Sequence, residues 1–255
     1  EVGLNPEVPP KSLDEVLEFN KKIYKTDAKG KIVTLGFIPN NLWGSFVAWA
    51  YMWGGDFYNE KTGKITAFNP VNEKALQWQI DFFKKYGGIE TVSAWQQGFT
   101  GGANDPFIKR KLGMMTASHY HYYFWYKYGP PDFLKTTIGY APIPKFPGPD
   151  TLPKGQVLTS NAHIMLKGCK NPEAAYTFLK ELCYGEGYLR ANMPYAAYTS
   201  SSRSLNERFE KEIGIPDFWP KELWKLELHM LETKKPWPSI PVVGRLMNEL
   251  TQQVE

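Results

Sequence analysis

The chain has 255 residues, which is enough to bury a substantial core in one large domain or in two small ones. Its 30 basic and 26 acidic residues are interspersed and leave a formal net charge of +4, so the charge gives no argument for nucleic-acid binding. No run of about 18 apolar residues occurs, and the sequence therefore contains no candidate membrane span.

Aromatic residues make up 15% of the chain and include nine tryptophans and fifteen tyrosines. A ring with a polar edge suits a hydroxylated, ring-shaped ligand, although such residues also fill ordinary cores. The two cysteines, Cys169 and Cys183, flank one predicted helix; a rise of about 1.5 Å per residue separates them by roughly 20 Å, too far for a disulfide. The first residues have neither a basic start nor an apolar middle, so no signal peptide is predicted within this chain.

The chain opens with a predicted helix and strand. Ser12 and Glu15 have the spacing of a capping box and begin a helix over 13–26. A turn at Gly30 then leads into a strand over 31–38.

The aromatic stretch 36–64 predicts a buried helix. From Trp43 onward, apolar residues recur at helical spacing and cover nearly all sides of the helix, so Trp49 and Trp53 are interpreted as core residues. The pair Gly54-Gly55 supplies a left-handed stop. Residues 56–68 then predict a β-hairpin.

Asn69 followed by Pro70 predicts the start of a long helix that ends near Tyr86. The sequence over 89–104 is predicted to be a loop that carries Trp95 and Phe99, two further aromatic residues considered as ligand contacts. A short basic helix and a buried strand over 113–116 follow.

Eight consecutive aromatic rings run from His119 to Tyr126 and are interpreted as an extended segment, in which Tyr120 and Tyr122 share a face. Strands and helices continue to alternate, which is typical of the α/β class. The remaining predicted elements are strands over 138–143 and 156–166, helices over 172–184, 204–213 and 220–234, a short helix after 184, and a final helix after a proline elbow over 237–241.

Six stretches of the chain resemble, in order, the pattern of the extracellular solute-binding proteins of ABC importers, in the carbohydrate-binding group that includes maltose-binding protein. They cover nearly the whole chain with plausible spacing. The stretches are PPKSLDEVLEFNKKI, WGGDFYNEKTGKITAFNPVNEKALQWQIDFFKKYG, FIKRKLGMMTASHYHYY, IGYAPIPKFPG, HIMLKGCKNPEAAYTFLKEL and PWPSIP.

The resemblance implies an α/β fold with periplasmic-binding-protein-like type II lobes, in which a mixed sheet is flanked by helices and the first lobe is missing or incomplete. Residues 1–160 would form the first part of the carboxy-terminal lobe, residues 161–199 a crossing segment that packs on the amino-terminal lobe, and residues 200–255 the return. Without that lobe, the crossing strand and helix would expose a sheet edge and an apolar face.

Trp43 is the best single candidate for stacking on a sugar ring. Sugar C–H faces are apolar, and neighbouring amides such as Asn40 and Asn41 can meet the hydroxyl rim. The alternative is a core tryptophan at a helix start. Ser160 and Asn161 interrupt an apolar strand, either to hydrogen-bond a ligand or to form a hinge.

The resemblance adds two aromatic positions. The family's Gly-x-Trp reads Ser118-His119-Tyr120 here, so Tyr120 matches an aromatic ligand contact, with His119 and Tyr122 beside it. Trp237 matches a position that lines the cleft, and structural packing is its alternative. Because no cysteine or carboxylate lies near the His-x-His pair, no metal site is predicted, and no cofactor is implied.

The predicted function is non-catalytic binding of a sugar or oligosaccharide in a cleft between two lobes that close by hinge motion. The predicted partners are a carbohydrate-class solute, the permease of an ABC importer and the missing amino-terminal lobe, with no nucleic acid, and the complete protein is expected to be a monomer. The expected location is extracytoplasmic, in the periplasm or as a cell-surface lipoprotein.

Two other functions stay open. Gly-x-Ser-x-Gly and phosphate-binding glycine motifs are absent, but any two acidic residues can meet in space, so a glycan-acting enzyme with aromatic subsites is one alternative. The other is an interaction module without its own ligand.

Overall fold

The structure is a computed structural model of the chain. It describes residues 2–39, 45–117, 119–144, 157–158, 163–196, 199–233, 235–236 and 249. The α-helices of this described part are α1 (Leu13–Ile23), α2 (Ser45–Met52), α3 (Pro70–Lys85), α4 (Ile89–Gln97), α5 (His119–Tyr128), α6 (Phe133–Thr136), α7 (Pro172–Tyr184), α8 (Met193–Ala196), α9 (Arg203–Arg208) and α10 (Lys221–Thr233). Two π-helical segments cover Tyr188–Asn192 and Phe209–Ile213. Its strands are β1 (Lys25–Thr26), β2 (Ile32–Thr34), β3 (Tyr58–Asn59), β4 (Lys64–Ile65), β5 (Val157–Leu158) and β6 (Lys235–Pro236).

The chain divides into two compact units. Unit 1 comprises Glu1–Ala117, Gly139–Leu158 and Thr233–Glu255, and unit 2 comprises Ser118–Ile138 and Thr159–Glu232. The expected assignment of residues 161–199 to a crossing segment stays a prediction.

The α/β class is confirmed, with less strand than the sequence predicts. In the described residues, β1 pairs with β2 and β3 with β4 in antiparallel fashion, while β5 and β6 are parallel. A parallel bridge joins Leu35 to Leu112, and the contact ends with the Met114 N–H, which donates to the Gly36 carbonyl. The strand predicted over 113–116 is therefore wrong, because the bridge is formed by Leu112 and residues 113–116 form no strand.

The strand predicted over 138–143 is also wrong, because these residues adopt no regular secondary structure. Pro142 and Pro144 have no N–H group to donate to a neighbouring strand. An apolar pattern without such pairing does not make a strand. Of the strand predicted over 156–166, the described residues include β5, and residues 163–166 lie outside any strand.

Helix α1 begins where the capping pattern predicts. The Ser12 side chain accepts the Glu15 N–H at 3.2 Å, and the Glu15 carboxylate accepts the Lys11 N–H at 2.7 Å. The reciprocal bond therefore reaches one residue further back than in a standard capping box. Leu13 and Val16 are buried on the inner side of the helix.

Helix α2 forms the centre of unit 1. Every residue from Phe46 to Trp53 is buried, which confirms that Trp49 and Trp53 belong to the core. The Trp49 ring stacks on Trp78 of α3 at 5.0 Å, and its N–H donates to the Pro39 carbonyl at 2.5 Å. Gly54 ends the helix with φ +89°, the left-handed conformation that the sequence predicts.

Helix α3 also follows its sequence signals. The Asn69 side chain accepts the N–H groups of Val71 and Asn72 at 3.0 and 2.9 Å, and Pro70 occupies the first turn. Gly87 and Gly88, both with positive φ, end the helix.

Helix α4 occupies part of the sequence predicted to be a loop, so that prediction is wrong over Ile89–Gln97. The helix follows Gly88 without a side-chain capping bond, which removes the usual signal for a helix start. Val92 and Trp95 lie three residues apart on its buried side. Trp95 is thus a core residue, and its ring packs edge-on against Phe99 at 4.8 Å.

Replacing Asn20 by alanine is expected to destabilise unit 1 by about 1–3 kcal/mol, because the Phe37 N–H would be left buried without an acceptor. The Asn20 side chain is fully buried and accepts that N–H at 2.8 Å. Urea unfolding of the chain, followed by tryptophan fluorescence, measures the change.

The matched control is Asn5→Ala, which removes an equivalent acceptor for the Glu7 N–H at an exposed site. Its cost should stay within about 0.5 kcal/mol. Equal losses in both variants would contradict the assignment of the effect to burial.

Candidate functional site

Three of the nine residues predicted to bind ligand lie in the described part of the chain. They are His119, described only by its backbone, together with Tyr120 and Tyr122. The other six lie outside the described residues and keep their roles as predictions: Asn40, Asn41, Trp43, Ser160, Asn161 and Trp237.

Helix α5 overturns the extended reading of the aromatic run. Residues 119–128 are helical. A separation of two residues corresponds to a rotation of about 200° around the helix axis, so the side chains of Tyr120 and Tyr122 point to nearly opposite sides of the helix. Aromatic residues favour strands in general, but burial of one side of this segment outweighs that preference. The predicted pairing of these two tyrosines on one face is wrong.

The inner side of α5 packs into the core of unit 2. Tyr122 and Trp125 are 8% and 2% exposed, and Tyr122 meets the edge of the Trp219 ring at 5.3 Å. Trp219 is itself buried. Tyr122 therefore packs within unit 2, and its contact with a ligand stays a prediction.

The outer side of α5 carries three rings spaced four residues apart, Tyr120, Phe124 and Tyr128, which we call the aromatic track. The ring centroids of Tyr120 and Phe124 are 4.6 Å apart, and those of Phe124 and Tyr128 are 5.8 Å apart. Tyr120 is 54% exposed and Tyr128 is 39% exposed. The predicted contact Tyr120 is thus the first member of a longer exposed aromatic surface.

A pair of phenols lies beside the aromatic track. Tyr123 on α5 donates a hydrogen bond to the hydroxyl of Tyr195 on α8, and their rings are 4.8 Å apart. Tyr123 also meets Phe124 edge-on at 5.8 Å. The bond to Tyr195 is the main cause that raises the pKa of Tyr123 to about 12, because donation stabilises the protonated phenol, and burial contributes second.

Sequence reasoning missed Phe124, Tyr128, Tyr123 and Tyr195. The first two could have been found by testing the aromatic run for a period of four, which places them on the side of Tyr120. Tyr195 is distant in sequence and had no local signal.

Helix α7 presents a second exposed surface of different chemistry. No residue of α7 is buried, and Phe178 is 65% exposed. Together with the preceding segment, the helix borders an apolar groove of about 450 Å³. We call this the α7 groove; it is lined by Ile164, Met165, Leu166, Gly168, Cys169, Ala175, Phe178 and Leu179.

This surface lies within residues 161–199, whose assignment to a crossing segment stays a prediction. The helix starts at Pro172 as predicted, although the Asn171 side chain makes no capping bond. Cys169 and Cys183 are both free thiols.

Two carboxylates of unit 2 share an exposed ion cluster. Arg208 contacts both Glu186 and Glu212, and Arg190 contacts them as well. Hydrogen bonds from Arg208 are the largest cause that lowers the pKa of both carboxyl groups. A general acid in glycoside hydrolysis needs a raised pKa, so neither group of this pair suits that role.

Other site classes find no support in the described residues. No three His, Cys, Asp or Glu side chains of this part gather closely enough to hold a metal ion. None of its helices combines the length and the apolar character needed to cross a bilayer.

The sequence pattern of one family, described as bacterial extracellular solute-binding protein, matches residues 4–212. Comparison with curated proteins gives no significant match. Solved structures with the same fold include "CpMnBP1 with Mannotriose Bound", with 22% identity and a TM-score of 0.79 over 99% of this chain and 62% of that chain.

Another similar structure is the maltose/maltodextrin-binding domain MalE of Bdellovibrio bacteriovorus bound to maltotriose, with 19% identity and a TM-score of 0.67 over 97% of this chain and 61% of that chain. The GacH receptor of Streptomyces glaucescens, described unliganded and with acarbose, has 17% identity and a TM-score of 0.67 over 97% and 58%. The present chain thus spans about three fifths of the length of these solved chains.

The substitution Tyr195→Phe is expected to lower the pKa of Tyr123 from about 12 toward its ordinary value near 10, because the phenol loses its acceptor. In the parent protein the pair favours folding below pH 10 and loses that contribution as the pH rises through 12. NMR titration of ¹³Cζ-labelled tyrosine, with Tyr123→Phe to assign the resonance, measures the shift.

Tyr176→Phe removes another exposed hydroxyl of unit 2, on α7, and should leave the Tyr123 titration unchanged. A Tyr123 resonance that moves equally in both variants would rule out the paired phenols as the cause.

Proposed function

The chain belongs to the bacterial extracellular solute-binding proteins, and on that basis we propose that it binds an oligosaccharide without transforming it and delivers it to the permease of an ABC importer. The observation that carries the carbohydrate class is Tyr120, an exposed ring on α5 at the position where the resemblance expects an aromatic ligand contact. A tyrosine face suits the apolar side of a sugar, and its hydroxyl suits the rim.

The similar solved structures support the choice of ligand. These structures were solved with mannobiose, mannotriose, maltotriose, maltose and acarbose. Low sequence identity means that these ligands indicate a class and no individual sugar.

We assign the binding roles as follows. Trp43 and Tyr120 stack on sugar rings, and Trp237 lines the same cleft. The polar groups that meet the hydroxyls are Asn40, Asn41, Ser160 and Asn161. His119 and Tyr122 keep the ligand-contact role that the resemblance gives them, although Tyr122 lies on the other side of α5 from Tyr120. Two lobes close on the ligand, and the closed form is the one that the permease recognises.

The absence of a chemical step is part of the proposal. Glu186 and Glu212 form an acidic pair whose carboxyl pKa values are lowered by Arg208, which opposes a role as general acid. A glycan-acting enzyme stays the alternative, and release of product from a chromogenic oligosaccharide would favour it.

The family description sets the working location outside the cytoplasm, and we propose the periplasm or a cell-surface lipoprotein as the specific site. We further propose that the complete protein is a monomer with a second, amino-terminal lobe. That lobe would cover the α7 groove, because Phe178 and its aliphatic neighbours otherwise remain in water.

Calorimetry of the intact natural protein that carries this chain should detect binding of one or more sugars in a panel of manno- and malto-oligosaccharides. Tyr120→Ala should weaken that binding by about tenfold or more. An aromatic ring that the bound ligand covers contributes on the order of 1.4 kcal/mol or above to the binding free energy. No sugar should be cleaved during the titration.

Tyr126→Ala is the matched control. Tyr126 is an equally exposed tyrosine of α5, but its ring stacks on Phe218 at 4.0 Å, so its loss should not change sugar affinity. Silence across the sugar panel, together with binding of peptides or polyamines, would refute the carbohydrate class.

Phe178→Asp tests the lobe that would cover the α7 groove. In the 255-residue chain alone the change should alter stability by less than about 0.5 kcal/mol, because the side chain is already exposed. In the intact protein it should destabilise by about 1.5–3 kcal/mol, the loss expected for a buried phenylalanine. Thermal unfolding of both forms gives the comparison.

Tyr176→Asp is the control on the same helix, since Tyr176 is 63% exposed and does not line the groove. A neutral effect of Phe178→Asp in the intact protein would mean that no lobe covers this surface. A separate protein that co-purifies through the groove would favour the interaction-module alternative.

A further inference from the structure

The positive charge of the chain is concentrated in two short segments of unit 1. Residues 18–31 and 105–111 contain eight basic and three acidic side chains, which is a net charge of +5, whereas the whole chain carries +4. The rest of the chain is therefore slightly acidic. The small total charge thus conceals a strongly basic region.

The fold brings these two segments to the same edge of unit 1. Strand β1 pairs with β2, and Lys25 lies opposite Thr34. The next residue, Leu35, bridges Leu112, and its N–H donates to the Lys111 carbonyl at 2.9 Å. Successive backbone groups of a strand point to opposite sides, so Lys25 and Lys111 lie on the two chains that flank β2, roughly 10 Å apart.

The last turns of α1 and α3 adjoin the same region. Tyr24 and Tyr86 directly follow these two helices, and the centres of their rings are 4.9 Å apart. Each helix carries two lysines in its last turn, at 21–22 in α1 and at 84–85 in α3. The two helix ends therefore add four positive charges beside β1.

We call the basic side chains of residues 21–31, 84–85 and 109–111 the basic surface. All of its members are exposed except Lys111, which is half-buried. Within the part of the chain that the structure describes, the lysines of this surface form no ion pair. Their charge is therefore presented to the solvent.

The stability of the fold accounts for only part of the basic surface. Lysines in a last turn offset the negative end of the helix dipole, and this reason applies to residues 21–22 and 84–85. It does not apply to the lysines of residues 25–31 and 109–111, which lie in a strand and in turns. The Asp27 carboxylate accepts two backbone N–H groups of its own turn, both at 2.9 Å, and is thus directed to the backbone rather than to a neighbouring ammonium group.

The composition of the basic surface favours a broad anionic partner. All but one of its cations are lysines, whose ammonium groups are point charges on flexible stems, whereas the bidentate recognition of a single phosphate or carboxylate uses arginine. No large apolar side chain of residues 21–31, 84–85 or 109–111 is exposed. A protein partner would normally require an apolar centre in the interface, so the surface suits charged lipid headgroups better than a protein.

We propose that the basic surface rests on the anionic phospholipid headgroups of the membrane that holds the permease. This proposal rests on the proposed function, which places the protein beside a membrane. Each lysine near an anionic lipid surface contributes a small attraction, and several together hold a protein there reversibly. The contact concentrates the protein at the membrane and takes no part in sugar binding.

Vesicle flotation tests the contact with lipid. The intact natural protein that carries this chain is mixed with vesicles of phosphatidylcholine alone, or of phosphatidylcholine with phosphatidylglycerol. More protein should float with the anionic vesicles, and this excess should disappear at about 1 M salt, where the screening length falls to about 3 Å. The difference between the two vesicle types removes the contribution of any lipid anchor.

The double variant Lys25→Gln and Lys109→Gln removes two charges from the basic surface. Each lost lysine should weaken the affinity for anionic vesicles by about fivefold, and the two together by about 25-fold. Both side chains are exposed, so the variant should keep its fold, which circular dichroism with thermal unfolding measures.

The double variant Lys61→Gln and Lys64→Gln is the matched control, because it makes the same change in net charge. These exposed lysines belong to the hairpin of β3 and β4, which adjoins the start of α3 through the bond that Asn69 donates to the Thr66 carbonyl. The 16 residues of α3 place the hairpin about 24 Å from the basic end of that helix, beyond a screening length of about 10 Å. The control should therefore bind anionic vesicles like the parent protein.

The outcomes separate this inference from the proposed function. Equal flotation of the parent protein with both vesicle types would overturn the lipid contact, and so would equal weakening in the two double variants. A Lys25→Gln and Lys109→Gln variant that floats like the parent but loses cross-linking to an acidic membrane protein would overturn it in favour of a protein partner. Calorimetry should show unchanged sugar binding in both variants. If no sugar binds the parent protein while flotation still depends on Lys25 and Lys109, the proposed function fails and the lipid contact stands.

Discussion

The burial of α2 is the constraint on which the rest of unit 1 depends. A helix with no polar face must be surrounded, and the neighbouring segments are arranged to cover it. Trp49 stacks on Trp78 of α3, and its single N–H reaches the Pro39 carbonyl, so the largest ring of the helix leaves no polar atom unsatisfied. Gly55 lets α3 approach closely, because a Cβ there would lie 1.9 Å from the Asn72 side chain.

With short strands, unit 1 uses side-chain amides to satisfy backbone groups that a longer sheet would pair. The buried Asn20 accepts the Phe37 N–H, and the buried Asn72 donates to the carbonyls of Asp56 and Ala67. Asn69 caps α3 and also donates to the Asp56 carbonyl. These amides tie the loops next to α2 to its neighbouring helices, and they explain how irregular backbone is tolerated close to a core.

How far the sequence predicts this fold depends on whether a local signal exists. The sequence predicts the caps at Ser12 and Asn69 and the glycine stop at Gly54 because each satisfies backbone groups within a few residues. It does not predict helix α4, because this helix starts without a capping side chain. It predicts an extended segment in place of helix α5, because the consecutive aromatic residues carry a strand preference that only tertiary burial of Tyr122 and Trp125 reverses.

The same distinction applies to the candidate site. Tyr120 could be proposed from a pattern, but its continuation through Phe124 and Tyr128 exists only once the segment is helical, and Tyr195 is brought to Tyr123 by the packing of α8 on α5. Aromatic rings kept in water carry a hydration cost, and the side of α5 that carries Tyr122 and Trp125 avoids this cost by packing in unit 2. Because α5 buries its other side against Trp219, the exposed rings are held on a fixed helix and their spacing is set before a ligand arrives.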